Sequence, residues 1–147
     1  MEIREQTART QELVDRFANI WRKSVSATHT FLTPREIDAI EPEVRAGLNA
    51  VENLALASDE SGAVCGFMGV ENRRLEMLFV ESSKMGKGAG RKLVEYGIEK
   101  YRMDNLTVNE QNPQAAGFYE HLGFKAYKRS ALDEQHRPYP LIYMKLP

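Results

Sequence analysis

A chain of 147 residues can bury one core and is short for two, and its 42% apolar and 28% charged residues give the balance of a folded domain, not a disordered one. Lys and Arg number 20 against 21 Asp and Glu, net −1, so the basic excess of a nucleic-acid-binding domain is missing. No apolar run approaches the roughly 20 residues that cross a bilayer, the polar Met1–Arg9 stretch does not read as a secretory leader, and one cysteine, Cys65, cannot form an internal disulfide, so a cytoplasmic location is expected.

In chain order, a short strand is predicted at Ile3–Glu5. Leu13, Val14, Phe17, Ile20, Trp21 and Val25 then recur on one face of a helix over Gln11–Val25. A second helix starts at Thr33, which caps it; Pro34 suits the first helical position and Glu36 completes a capping box. Pro42 lies within that helix, so a kink or break is expected there. The period changes at Leu54–Ser58, and Asp59-Glu60-Ser61-Gly62 has turn chemistry. Strands follow at Ala63–Val70, where Cys65 reads as a core residue, and at Leu75–Val80, joined by the turn Glu71-Asn72-Arg73-Arg74. Beyond a glycine-rich loop come a helix marked by Leu93, Val94, Gly97, Ile98 and Tyr101, a strand at Leu106–Asn109, a helix at Pro113–Leu122, and strands at Phe124–Ser130 and Leu141–Leu146. No repeat or linker interrupts the pattern, so residues 1–147 read as one α+β domain around a mixed sheet.

The loop between the third predicted strand and the third helix places Gly86, Gly88 and Gly90 at every second position. Glycines let backbone N–H groups approach a ligand closely, and the helix start adds unpaired donors and a partial positive charge. With Lys84, Lys87, Arg91 and Lys92 around it, the segment suits an anionic phosphate. A nucleoside triphosphate loop needs Ser or Thr after its Gly-Lys pair; Gly86-Lys87 is followed by Gly88. The dinucleotide fingerprint needs a third glycine three residues after the second, and Arg91 or Leu93 stands there.

Downstream, Asn112, Ala115, Tyr119, Gly123 and Phe124 fall at the spacing Asn-x-x-Ala-x-x-x-Tyr-x-x-x-Gly-Phe. This resembles the second signature motif of the GNAT superfamily of N-acetyltransferases. The glycine loop resembles the family's first motif, Arg/Gln-x-x-Gly-x-Gly/Ala, with Gly88 and Gly90 in the glycine positions, Met85 in the Arg/Gln position and Ser82 where a proline is frequent. The resemblance covers nearly the whole chain. It implies a mostly antiparallel mixed sheet flanked by helices, its central strands splayed, and a bulge in the first of them. It also implies acetyl-coenzyme A as co-substrate, a primary amine as acceptor (a small molecule, a peptide terminus or a protein lysine), direct attack in a ternary complex, and no metal. Partners in nucleic acid or membrane are not expected, and monomer or homodimer stays open. The alternative is a non-catalytic acyl-CoA-binding sensor or interaction module.

Carried onto this sequence, the resemblance has backbone donors of Met85, Gly86, Lys87, Gly88, Ala89 and Gly90, with Arg91, hold the pyrophosphate. The pantetheine arm pairs with the strand Leu78-Phe79-Val80 and bonds Asn112 and Asn109, although Asn112 also suits a helix cap. The backbone N–H of Leu78 faces the developing oxyanion. Tyr119 acts as general acid toward the thiolate, against the alternative of a core tyrosine. A lysine-like amine is mostly protonated at neutral pH, so a base is useful. Glu76, taken to share a strand face with Leu78, is one candidate, its alternative being a salt bridge with Arg74. His29 or a water relay is another. Trp21, His29, Phe31 and Tyr139 are expected around the acceptor, and His121 and His136 on the surface.

Overall fold

The computed structural model describes residues 1–29 and 31–147. Its elements run β1 (Glu2–Glu5), α1 (Gln11–Thr28), α2 (Pro34–Ala50), β2 (Asn53–Ser58), β3 (Val64–Glu71), β4 (Arg74–Val80), α3 (Ala89–Tyr101), β5 (Asn105–Asn109), α4 (Pro113–His121), β6 (Lys125–Ser130) and β7 (Leu141–Lys145). Every predicted element is present. Local chemistry accounts for the ends: the Thr33 side chain accepts from Glu36 N while the Glu36 carboxylate accepts from Thr33 N. The β3–β4 turn places Asn72 and Arg73 at φ 50° and 67°, the left-handed pair that matches hairpin twist.

Of the kink or break expected at Pro42, the break does not occur: α2 runs through as one helix. The proline removes one N–H, and ion pairs hold the flanking turns to α1. Arg22 binds Asp38 at 2.6 Å and Glu41 at 2.9 Å, and Arg45 binds Asp15 at 2.6 Å and Glu41 at 3.1 Å.

The strands form one sheet in the order β1-β2-β3-β4-β5-β7-β6, and only β4–β5 is parallel. Two cores lie on its faces. On one, Met68, Leu75, Leu93, Val94, Leu106, Tyr119, Phe124 and Met144 pack with α3 and α4. On the other, Phe17, Trp21, Ile37 and Leu48 of α1 and α2 pack on Leu54, Leu56 and Phe67, with Met77 and Phe79 alongside. The Phe17 and Phe67 rings stack at 4.7 Å, and burial of each contributes roughly 1.5–3 kcal/mol.

Two irregularities in β4 shape everything that follows. Leu75 lies opposite Val70 and Met77 opposite Gly69, so Glu76 is an extra residue without a partner, a β-bulge. And β4 pairs with β5 only at Arg74–Asn105 and Leu75–Leu106. Beyond Leu75 the two central strands part, and the sheet opens from within.

Candidate active site

A cavity of about 400 Å³ opens where β4 and β5 part. Leu78 and Val80 form one wall, Met85 to Arg91 (without Lys87) the floor, and Asn112, Gln114, Ala115, Phe118 and Tyr119 the opposite side. The β4–β5 ladder ends at Leu75–Leu106, so the β4 backbone at Leu78 and Val80 has no strand partner on its β5 side. An extended arm entering there can pair as a substitute strand.

The floor explains why glycine is required. Gly86 and Gly88 have φ values of 81° and 85°, and Gly88 is the N-cap of α3. The first α3 carbonyl to accept is Gly88 O, from Lys92 N. Among the described residues, no protein acceptor receives the N–H groups of Gly86, Lys87, Gly88, Ala89, Gly90 or Arg91. Six donors beside the positive end of a helix form an anion cradle. Met85 differs: its N–H leans on Ser82 O at 3.5 Å. Lys84 also lines the cavity and is moored at 3.1 Å to Asp59, whose other oxygen accepts from Ser61 and Ala63. These bonds, those from the Ser61 hydroxyl foremost, hold the Asp59 carboxyl far below the ordinary range.

Tyr119 is 8% exposed, and burial pushes its phenol well above the ordinary value. Its ring packs edge-on against Phe118 at 5.1 Å and Phe124 at 6.0 Å. No side-chain or backbone partner binds its hydroxyl among the described residues, yet the residue lines the cavity. Its phenol is held protonated at the cavity wall. Asn112 caps α4 by accepting from Ala115 N at 3.3 Å and also lines the same cavity.

Three residues expected at the cofactor do not line this cavity with their side chains. Phe79 turns to the other core and tilts against Phe67 at 5.8 Å. The Asn109 side chain is committed to its own turn, accepting from Gln111 N at 2.8 Å, and lies outside the cavity. Lys87 is exposed and lines neither cavity.

Glu76 also requires a correction. It lines a second cavity, of about 480 Å³, with Met77, Phe79 and Trp21, on the sheet face opposite Leu78. The bulge breaks the alternation on which the expected shared face rested: Glu76 and Met77 both face α1 and α2. Burial raises the Glu76 carboxyl, and Arg74, 3.9 Å away, opposes that rise; Glu134 and Glu71 add to it. Arg74 is turned mainly toward Glu134, with two hydrogen bonds of 3.1 and 3.0 Å, and to Thr107 at 3.2 Å. Trp21, Ile40, Val44 and Met77 give this cavity apolar walls, and Glu43, Glu71 and Glu76 its charge.

His29, Phe31 and Tyr139 do not line the second cavity. They form an aromatic row, His29–Phe31 at 5.4 Å and Phe31–Tyr139 at 6.1 Å, tied to α2 where the Tyr139 hydroxyl donates to Glu36. Burial lowers the His29 pKa. Thr28 donates its hydroxyl hydrogen to Ser24 O at 2.8 Å, which makes His29 Nδ1, 2.9 Å away, the donor and leaves Nε2 the free acceptor. His121 and His136 are exposed as expected. Ser24, Thr28, Gln114 and Phe118 line the first cavity without having been predicted. Phe118 is traceable in hindsight, since it neighbours Tyr119 and would lie 3.4 Å from a Cβ on Gly90. Ser24 and Thr28 sit on a helix remote in sequence and leave no such trace.

Comparison with known proteins agrees with this geometry. A family model described as an acetyltransferase (GNAT) domain matches residues 23–141. A peptidyl-lysine N-acetyltransferase of Escherichia coli K12, YjaB, is 39% identical over 123 residues, 84% of this chain and 83% of that protein. Its counterpart in Salmonella typhimurium LT2 is 37% identical, over 87% and 88% of the two chains. The solution structure of the apo form of the E. coli protein superposes with a TM-score of 0.85 at 35% identity, covering 98% of this chain and 95% of that one.

Proposed function

The chain belongs to the GNAT acetyltransferase family, and on that premise we propose that it moves the acetyl group of acetyl-coenzyme A onto the side-chain amine of a lysine in a peptide or protein. GNAT acetyltransferases use acetyl-CoA. The observation that carries the reading for this chain is the set of six unpartnered N–H groups from Gly86 to Arg91, set beside a strand edge left open from Leu78 to Val80. Diphosphate fits the first and an amide-bearing arm the second.

In this mechanism the amine reaches the thioester through the gap between β4 and β5, from the Glu76 side. Glu76, as carboxylate, takes a proton from the incoming ammonium, directly or through water; His29 Nε2, near the first cavity by way of Thr28, is the other acceptor of protons. The freed amine attacks the thioester carbonyl while the Leu78 N–H stabilises the negative charge on its oxygen. As the carbon–sulfur bond breaks, Tyr119 gives its phenolic proton to the thiolate, and the second proton that the attacking nitrogen sheds as the amide forms returns through water to the phenolate. The acidic second cavity and its Trp21 and Met77 walls suit a lysine side chain, whose butyl stem is apolar and whose tip is cationic. Support for a lysine acceptor also comes from the activity in the names of the E. coli and S. typhimurium relatives.

Thiol release from acetyl-CoA, followed with lysine peptides, free lysine, peptide α-amines and small polyamines, tests the proposal. Turnover of lysine peptides ahead of the other amines is the expected outcome. Turnover confined to small amines overturns the acceptor assignment.

A further inference from the structure

The sheet face that α1 and α2 cover over β2, β3 and β4 continues onto β5, β7 and β6. There Asn105, Thr107, Tyr143 and Lys145 alternate with the core residues Leu106, Met144 and Ile142. On β6, Ala126 lies opposite Met144 and Lys128 opposite Tyr143, so Tyr127 is a bulge residue. The bulge brings Tyr127 and Lys128 together on this face: Lys128 Nζ stands 4.8 Å over the Tyr143 ring, Lys145 Nζ 4.7 Å over the Tyr127 ring, and the two rings meet at 6.3 Å. Lys125 lies directly opposite Lys145. Like charges facing each other across a ladder destabilise it, and among the described residues none of the three lysines has a carboxylate within 4.0 Å. Tyr127 is 51% exposed.

We propose that this Lys125–Lys128–Lys145 face, with Tyr127 and Tyr143, is a docking strip for acidic residues that flank the acceptor lysine in a protein substrate. The inference rests on the lysine-acceptor reading above. Its ground is charge complementarity and continuity with the acceptor cavity: Arg74, 3.9 Å from Glu76, reaches Thr107 on β5 at 3.2 Å, Thr107 lies opposite Tyr143 on β7, and Tyr143 opposite Lys128 on β6. Where β4 and β5 still pair, at Arg74 and Leu75 beside Glu76, three strand spacings of about 4.8 Å separate β4 from β6, about 14 Å in all, which an extended peptide spans in about four residues. A lysine seated beside Glu76 therefore brings its third and fourth neighbours over the strip. The strip thus attracts acidic flanks while the cavity attracts the amine. A nucleic acid fits less well, because Glu71, Glu76 and Glu134 at the near end repel a phosphate backbone.

The experiment compares kcat/KM for two lysine peptides differing only in Asp or Asn at the third and fourth positions on both sides of the lysine. The Asp peptide should be preferred by about 2- to 20-fold at low salt, the size of two exposed ion pairs, and the preference should fade at high salt. In the double variant Lys128→Glu with Lys145→Glu the preference should invert. In the milder Lys128→Gln with Lys145→Gln it should fall to about one, with acetyl-CoA still raising the Tm as a check on folding. Equal use of both peptides by the unaltered protein overturns the strip and leaves the lysine-acceptor reading intact. A preference that survives both double variants overturns it too, as does a dimer that both variants dissociate, or single-stranded DNA binding that both abolish, while the peptide ratio stays unchanged. Failure of every lysine peptide alongside turnover of small amines overturns both readings.

Discussion

Tyr119 is the residue whose sequence spacing and structural setting agree most closely. It is packed between Phe118 and Phe124, its pKa is raised by burial, and it faces the cavity without a protein partner. Tyr119→Phe should keep the ring packing and remove only the proton, lowering kcat by about 10²–10⁴ while the acetyl-CoA-induced rise in Tm persists. Stopped thiol release with unchanged thermal shift is the pattern to look for. Glu76 was identifiable as a candidate base two residues before Leu78, but not the face it occupies, because a bulge is a mismatch of register between two strands and leaves no mark on either alone. Its environment gives a pH prediction with a definite sign. Burial raises the Glu76 carboxyl, so the acidic limb of kcat/KM should lie above the ordinary carboxylate value. Glu134→Gln removes a like charge and frees Arg74 to turn from Glu134 to Glu76. Both changes favour the carboxylate, so the limb should move to lower pH; a limb that stays or moves up would detach Glu76 from the proton transfer.

At the scale of elements, the chain announces itself through caps, turns and periodicity. Thr33 with Glu36, Asp59 to Gly62, and Asn112 with Pro113 each carry local chemistry that fixes an end, and each is found where expected. The sequence alone does not decide against a break at Pro42, since the ion pairs that hold α2 through it join residues far apart in the chain, such as Arg45 and Asp15. Gly88 ties an element to the site: a Cβ there would meet nothing within 4 Å, so Gly88→Ala would be disfavoured by its φ of 85° alone. The cost should be about 1–2 kcal/mol, a Tm lower by roughly 2–8 °C. Relief of that strain by rotation would carry the α3 N–H groups off the anion, so the KM for acetyl-CoA should rise as well. A thermal melt and a saturation curve on the same sample check both halves.

For the whole molecule, composition bounded the class, and the alternation of strands and helices yielded the sheet and its antiparallel bias. The strand order and the place where the sheet opens depend on contacts between distant segments, which no window of sequence contains. The parting of β4 from β5 has a mechanical consequence. Among the described residues, β5, β7 and β6 join the N-terminal strands through only two ladder pairs, Arg74–Asn105 and Leu75–Leu106, so few backbone bonds tie the two parts of the sheet to each other. On the proposed function, a co-substrate lying along Leu78 to Val80 would add backbone bonds between the two parts. Amide exchange on β5, β6 and β7 should therefore slow when acetyl-CoA is added, although β6 lies on the far rim. Loading the enzyme and stiffening it would then be one event, and release of the spent carrier would loosen the sheet for the next turnover.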